Sequence, residues 1–193
     1  MKLDIKLSGV GGQGILSIAT VISKAALTDG LYLKQAEVHG MSQRGGDVQS
    51  DLRLSTDPIF SDLIAHGGVD LLISMEPMEA LRYRDWLAPD GAVVTSSKPF
   101  VNIPNYPDES AVLAELGTLP KVISVDIEQM ARDADVPRSA NMILLGLAAP
   151  HIPILTADSL RGAIADIFAR KGEAIIEANL KAFNLGLHYS SEK

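Results

Sequence analysis

The first thirty residues set a pattern of hydrophobic and polar positions that the rest of the chain repeats. Apolar residues alternate with polar ones from Leu3 to Leu7, as in a β-strand, and recur at helical spacing from Ile15 to Leu27. A glycine-rich stretch from Gly9 to Gly14 separates the two segments, and Asp29-Gly30 follows the helical one. The N-terminal segment therefore predicts a strand, a tight loop and a helix in succession.

Strand patterns recur through the first two thirds of the chain, over residues 31–38, 48–54, 69–74, 91–95 and 121–125. The strict alternation over 48–54 predicts a strand with one solvent-exposed face. Residues 77–87 predict a helix that begins with a proline, and helical patterns flank the last strand. Residues 99–108, with prolines at 99, 104 and 107, predict an irregular surface excursion.

The C-terminal part of the chain has only helical patterns. They span residues 139–149, residues 156–170 with Thr156 as N-cap, and residues 173–185, where Gly186 is expected to end the helix. Strands that alternate with helices are typical of a mainly parallel sheet covered on both faces. We therefore predict an α/β fold: a single three-layer, Rossmann-like domain over residues 1–193 with a helical C-terminal part.

Composition narrows the class of protein. Hydrophobic residues make up 47% and charged residues 21%, and no apolar run approaches the ~20 residues of a membrane span, so we expect a soluble protein with no membrane partner. The start of the chain lacks signal-peptide features, which predicts a cytoplasmic location. The net charge of −7, without a Lys/Arg cluster, argues against nucleic acid. The lack of cysteine excludes thiolate-bound iron–sulfur clusters, and we find no convincing set of metal ligands.

The glycine-rich stretch fits the pattern G-x-G-x-x-G at a strand-to-helix junction. Such glycines permit a tight turn and close backbone approach, and the N–H groups at the start of the helix favour a phosphate. Glu37 lies where a dinucleotide site has its ribose-binding acid, about 20 residues further along. The alternative is that the glycines only let the helix pack closely on the sheet. The candidate binding residues here are Gly9, Gly11, Gly12, Gln13 and Gly14.

A second unusual stretch, His39-Gly40-Met41-Ser42-Gln43-Arg44-Gly45-Gly46, follows Glu37 where a Rossmann domain would enter a crossover helix. Arg44 can offer a planar, bidentate donor to a carboxylate or phosphate, and His39 can titrate near neutrality or simply form a hydrogen bond. A glycine-rich polar loop gains little from burial, so a contact with a ligand or another subunit explains it best. We take His39 and Arg44 as candidate catalytic residues, and Gly45 and Gly46 as candidate binding residues.

A third candidate, Asn141, opens the apolar segment 142–146. Its side chain either caps the helix predicted there or reaches toward the same site as the other two motifs. Both possibilities place it at a helix N-terminus.

Together, these three segments resemble the gamma-type subunits and domains of the 2-oxoacid:ferredoxin oxidoreductases. The resemblance covers essentially the whole chain, and the first two motifs are specific in their order and spacing. The sequence H-G-M-S-Q-R-G-G favours the indolepyruvate branch, since related branches keep R-G-G with different residues before it. The resemblance predicts the small subunit of an enzyme that converts a 2-oxoacid to an acyl-CoA.

The resemblance also implies a division of labour. A large (alpha) subunit is expected to bind thiamine diphosphate with magnesium, to carry the iron–sulfur clusters, and to pass electrons to ferredoxin, while coenzyme A takes the acyl group. The small subunit alone is then expected to be inactive, and the resemblance assigns no cofactor to it alone. We expect the turn from Gly9 to Gly14 and the loop of Arg44 to line one face of a composite active site, against a phosphate of coenzyme A or the substrate carboxylate.

Three alternatives remain open from the sequence. A stand-alone NAD(P)- or flavin-dependent Rossmann oxidoreductase would need an acid–base residue, for which only His39 can be nominated. A non-catalytic assembly subunit would use the same loops purely as an interface. A gamma subunit acting on pyruvate, 2-oxoglutarate or 2-oxoisovalerate would differ only in its substrate.

Overall fold

A six-stranded sheet forms the centre of the molecule, with strand order β2-β3-β1-β4-β5-β6. The computed structural model describes residues 1–39, 45–101 and 103–191. All strands except β3 run in the same direction, which confirms the mainly parallel sheet. The strands are β1 (Lys2–Val10), β2 (Tyr32–His39), β3 (Asp47–Ser55), β4 (Val69–Ser74), β5 (Leu87–Ser96) and β6 (Val122–Val125).

Helices cover both faces of the sheet, so the predicted three layers and helical C-terminal part are confirmed. The first, fourth, fifth, sixth and seventh helices pack over the larger core, and the second and third over the smaller one. The helices are α1 (Ile15–Thr28), α2 (Pro77–Arg82), α3 (Glu109–Leu116), α4 (Ile127–Asp133), α5 (Ala140–Ala148), α6 (Ala157–Phe168) and α7 (Glu173–Ser191). No helix in the described part of the chain combines the length and apolar character needed to cross a bilayer.

The predicted ends of two helices can be compared with their observed ends. Thr156 caps α6 as expected, because its hydroxyl accepts a hydrogen bond from Ser159 N at 3.0 Å. The helix predicted over 77–87 is shorter: α2 ends at Arg82, a single 3₁₀ turn follows, and β5 already begins at Leu87.

The expectation of a half-exposed strand over residues 48–54 is wrong. β3 lies between β1 and β2, and its polar side chain Asp51 is buried beside the ammonium group of Lys6. That ammonium also lies 4.3 Å from the centroid of the Trp86 ring. Because each buried charge has a partner, the strand can alternate in polarity and still be covered on both faces.

The expectation that Gly186 ends the last helix is also wrong, since α7 continues to Ser191. Gly186 packs against Gly146 of α5, where the two helix backbones approach closely. A Cβ atom added at Gly186 would lie 2.1 Å from Ile143 O, and one added at Gly146 would lie 2.1 Å from Phe183 O. The glycine therefore permits a close helix crossing and does not act as a C-cap.

Candidate functional site

The glycine turn, residues 9–14, leaves the carboxyl end of β1 and starts α1. Gly12 and Gly14 have φ angles of 104° and 85°, in the left-handed region that other residues rarely adopt. Gly14 is the N-cap residue of α1. The turn therefore delivers a helix N-terminus to the carboxyl edge of the sheet, as the sequence predicted.

Gln13 holds this turn in shape. Its side-chain oxygen accepts a hydrogen bond from Val10 N at 2.8 Å, and its side-chain nitrogen donates to Met75 O at 3.3 Å. Gly9 allows close approach to the same region, because a Cβ added there would lie 3.2 Å from Met75 Cβ. Both residues tie the turn to the end of β4.

The second motif meets the first directly. Gly11 N donates to Gly46 O at 2.8 Å, and Gly45 N donates to Gly11 O at 3.3 Å. β2 and β3 thus form a hairpin whose returning end is bonded to the glycine turn. Arg44 and residues 40–43 lie outside the described residues, and of His39 only the backbone pairing with Val48 is described.

Asn141 also reaches the glycine turn. Its side-chain nitrogen donates to Gly14 O at 3.1 Å. It does not cap α5, because the N-cap position is taken by Ser139 and Asn141 lies within the first turn of the helix. Of the two possibilities left open by the sequence, the structure supports the reach toward the turn.

A cleft of about 920 Å³ opens beside the turn and is bordered by segments distant in sequence. Met75, Phe100 and Phe168 supply apolar surface, while Arg138, Lys171 and Glu128 supply charge. Clefts of this size, with apolar walls and a few polar groups, are typical of sites for small organic ligands.

Two helix N-termini face this cleft without a side-chain cap. At α1 the N-cap residue is Gly14, which has no side chain. At α5 it is Ser139, whose side chain makes no capping hydrogen bond within the described part of the chain. In contrast, side chains cap α2, α3, α4 and α6. First-turn N–H groups without such a cap favour an anion, and the dipoles of α1 and α5 add to the attraction.

The cations of the cleft strengthen this preference. Arg138 and Lys171 are exposed, and neither forms an ion pair with an acidic side chain among the described residues. The Lys171 ammonium lies 5.3 Å from the centroid of the Phe168 ring, a cation–π contact that keeps it at the wall. These two cations offset the acidic side chains that also line the cleft, so the uncapped N-termini of α1 and α5 carry the preference for a phosphate.

Two acids, Glu128 and Asp135, share the cleft with these cations. Burial raises the pKa of the Glu128 carboxyl, although the Ser96 hydroxyl donates a hydrogen bond to it at 2.8 Å and opposes the shift. A raised pKa lowers the fraction of Glu128 that is ionised at pH values near that pKa. At those pH values Glu128 therefore repels an anion less than a glutamate with an ordinary pKa would.

Comparison with known proteins decides the family. Residues 4–189 match the family model described as pyruvate ferredoxin/flavodoxin oxidoreductase. The chain belongs to this family. The sequence-based resemblance is thereby confirmed.

Individual members of the family show the same correspondence. The chain is 32% identical to indolepyruvate oxidoreductase subunit IorB of Archaeoglobus fulgidus, over 96% of this chain and 94% of that subunit. It is 33% identical to subunit IorB of Thermococcus kodakarensis, over 99% and 97% of the two chains. The 2-oxoglutarate:ferredoxin oxidoreductase from Magnetococcus marinus shares the fold, with a TM-score of 0.78 and 23% identity over 100% of this chain and 31% of that chain.

The dinucleotide arrangement expected around Glu37 differs from that of a Rossmann domain. In such a domain the ribose-binding acid follows the strand next to β1, but here β3 separates β1 from β2. Glu37 is exposed on the edge strand and lines a second cavity of about 360 Å³, which also borders the glycine turn. The physical reason is that β2 and β3 form a hairpin, so that β3 returns beside β1 and β2 lies at the edge of the sheet. If a crossover helix followed β2 instead, β2 could lie next to β1.

Sequence reasoning missed Phe100, Arg138 and Lys171. Phe100 lies in an irregular segment and Lys171 ends a 3₁₀ turn, and neither is part of a motif, so no local signal identifies them. Arg138 lies three residues before Asn141, and that proximity to a helix N-terminus was an available signal.

Proposed function

We propose that this chain is the small subunit of a 2-oxoacid:ferredoxin oxidoreductase of the indolepyruvate branch, and that it works in the cytoplasm as a single domain over residues 1–193. The similarity to two IorB subunits over nearly the full length of each chain supports the assignment. The stretch H-G-M-S-Q-R-G-G, typical of the indolepyruvate branch, supports the choice of substrate.

The observation that carries the proposed site is the bonding of Gly45 and Gly46 to Gly11. Two motifs separated by about thirty residues meet at one edge of the sheet, and Arg44 directly precedes Gly45 in the chain. In the proposed complex, Arg44 offers a bidentate donor to the ligand, and His39 is the last residue of β2. Both remain candidate catalytic residues.

The ligand proposed for the cleft is coenzyme A. Its phosphates suit the uncapped N-termini of α1 and α5 together with Arg138 and Lys171. The solved 2-oxoglutarate:ferredoxin oxidoreductase that shares the fold has coenzyme A and succinyl-CoA bound, which supports the same ligand class here. Backbone groups of Gly11, Gly12 and Gly14 would approach the ligand closely.

The remaining cofactors are assigned to a large partner subunit. The sequence contains no cysteine, so this chain offers no thiolate ligands for an iron–sulfur cluster, and the resemblance implies that thiamine diphosphate and magnesium belong to the large subunit. We therefore place thiamine diphosphate, magnesium and the clusters in the large subunit, together with electron transfer to ferredoxin. The small subunit orients coenzyme A and closes one side of the active site.

The partner requires a contact surface. Phe60 is 96% exposed and Leu63 is 64% exposed in the segment that follows β3, and Val38 is 60% exposed on the edge strand. Large apolar side chains exposed in this way are costly in water, and coverage by a partner relieves that cost. We propose that the large subunit contacts these exposed side chains.

Reconstitution tests the proposal. Viologen reduction is measured with this chain alone, with its large partner alone and with both together, in the presence of coenzyme A and of indolepyruvate, pyruvate or 2-oxoglutarate. We expect activity only in the mixture, highest with indolepyruvate. A higher rate with pyruvate or 2-oxoglutarate would refute the substrate branch. Inactivity of every mixture, with tight binding of a nicotinamide cofactor to this chain alone, would favour a stand-alone oxidoreductase.

A further inference from the structure

A buried carboxylate organises one wall of the cleft. Glu76 follows β4, is only 1% exposed, and caps α2 by accepting a hydrogen bond from Glu79 N at 2.8 Å. The same side chain accepts hydrogen bonds from Phe100 N at 3.4 Å and from the Tyr106 hydroxyl. One carboxylate thus joins the start of a helix to two points of the segment that connects β5 to α3.

The two ends of this β5–α3 segment, described over residues 97–101 and 103–108, are also anchored. At its start, Lys98 N donates to Ser96 Oγ at 3.1 Å, and the Ser96 hydroxyl donates to Glu128. At its end, Asp108 caps α3 by accepting a hydrogen bond from Ser110 N at 3.0 Å. Glu76 provides the fixed point between these two anchors.

Phe100 is the residue that this arrangement presents to the cleft. Its ring lines the cleft together with the glycine turn, and 45% of the residue is exposed. A half-exposed phenylalanine gains little from the fold itself, but it gives a planar ligand a face to pack on. Arg138 and Lys171 line the same cleft, so an apolar ring and two cations are available to one ligand.

We propose that Glu76 is a positioning residue that holds Phe100, through the β5–α3 segment, as the surface on which the adenine of coenzyme A stacks. This inference rests on the proposed function, since it assumes coenzyme A in the cleft. The phosphates lie at the helix N-termini and cations, and the base packs on the ring. Aromatic side chains are common stacking partners for nucleobases.

We call the hydrogen bonds that Glu76 accepts from Glu79, Phe100 and Tyr106 the Glu76 clamp. All three donors keep their protons at neutral pH. Burial, and next the hydrogen bond to Glu76, raise the pKa of the Tyr106 hydroxyl well above its ordinary value, so this group stays a donor at neutral pH. The N–H groups of Glu79 and Phe100 are donors at every pH. The position of Phe100 is therefore set before the ligand arrives, which reduces the entropy lost on binding.

The test compares single variants in the reconstituted complex. Phe100→Ala is expected to raise KM for coenzyme A about tenfold, with little change in kcat or in KM for the 2-oxoacid. Phe100→Tyr keeps the ring and is expected to restore the wild-type KM. Tyr106→Phe removes one bond of the clamp without changing its volume and is expected to raise the same KM about threefold. Leu27→Ala, an exposed apolar truncation near the far end of α1, is the control.

An unchanged KM for coenzyme A in Phe100→Ala, or failure of Phe100→Tyr to restore it, would overturn the inference while leaving the subunit assignment intact. A second measurement does not depend on activity. The protein has one tryptophan, so Phe100→Trp adds a fluorophore whose emission is compared with that of wild type. Adenosine 3′,5′-bisphosphate should quench the added emission in the full chain, with weaker affinity when Tyr106→Phe is also present. Absence of quenching would overturn the inference even if every mixture were inactive.

Discussion

The side-chain amide of Asn141 donates a hydrogen bond to the carbonyl oxygen of Gly14 at 3.1 Å, across 127 positions of sequence. This bond fixes the N-terminus of α5 beside the N-terminus of α1. A Cβ atom added at Gly14 would lie 2.7 Å from the Asn141 nitrogen, so a side chain there would displace the amide from this bond. This side chain therefore links the two anion-attracting helix N-termini directly.

Two substitutions of Asn141 separate the effect of losing its hydrogen bond from the effect of adding a negative charge. Asn141→Ala loses the bond, so we expect the free energy of unfolding to fall by about 1 kcal/mol and KM for coenzyme A to rise. Asn141→Asp keeps the size, but an ionised carboxylate cannot donate to Gly14 O and places a negative charge beside the proposed phosphate site. We expect it to raise KM further than alanine does. Equal KM values for coenzyme A in wild type and both variants would contradict a role at the site.

The crossing of α5 and α7 predicts a large effect of a small substitution. Gly146→Ala or Gly186→Ala forces a Cβ atom against the opposite backbone, so we expect a loss of roughly 3 kcal/mol in the free energy of unfolding. Gly162→Ala in α6 is the matched control, because an added Cβ there has no neighbour within 4 Å and alanine has the higher helix propensity. It should stabilise the protein by up to about 1 kcal/mol. Urea unfolding measures all three, and similar losses at Gly146 and Gly162 would refute the steric explanation.

These contacts mark the limit of what the sequence could predict. Periodicity identified most strands and helices because hydrophobic spacing is a local property. Gly186 was misassigned because glycine serves both as a helix C-cap and as a point of close approach, and only the partner Gly146 distinguishes the two. The burial of Asp51 depends likewise on Lys6, a residue of another strand.

The candidate site shows the same division. The glycine turn was predictable because its residues are contiguous and their backbone geometry is local. The cleft beside it was not, since Phe100, Arg138 and Lys171 come from three separate segments that meet only after the sheet has formed. Strand order depends on whether a hairpin or a crossover connection follows β2. The polar sequence after β2 indicated that no crossover helix begins there, but it did not predict where β3 lies in the sheet.

The partly buried carboxyl of Glu128 predicts a dependence of stability on pH. Because burial raises its pKa in the folded state, its contribution to stability is greatest below the pKa of the unfolded chain and is lost as pH rises through the folded pKa. Glu128→Gln does not titrate and keeps an oxygen for the Ser96 hydroxyl. We expect its stability relative to wild type to increase between about pH 4 and about pH 8 in urea unfolding. Glu177→Gln removes the same charge from the exposed face of α7, and an equal rise in that variant would contradict the assignment to Glu128.

The cations of the cleft predict a selective loss of affinity for coenzyme A. Arg138→Ala and Lys171→Ala each remove a cation that has no acidic partner among the described residues, so we expect KM for coenzyme A to rise about fivefold in each, with KM for the 2-oxoacid unchanged. Arg170→Ala is the control, because it removes the same charge from the neighbouring residue, which does not line the cleft.

Salt dependence provides an independent check of the same prediction. Added salt should raise KM for coenzyme A in wild type, and the increase should be smaller in Arg138→Ala and Lys171→Ala, where one screened attraction is already gone. An equal rise in KM for Arg170→Ala would mean that the overall charge of the protein, and not the cleft, attracts the ligand. If the variants raise KM for the 2-oxoacid and not KM for coenzyme A, Arg138 and Lys171 bind the substrate carboxylate and not the phosphates.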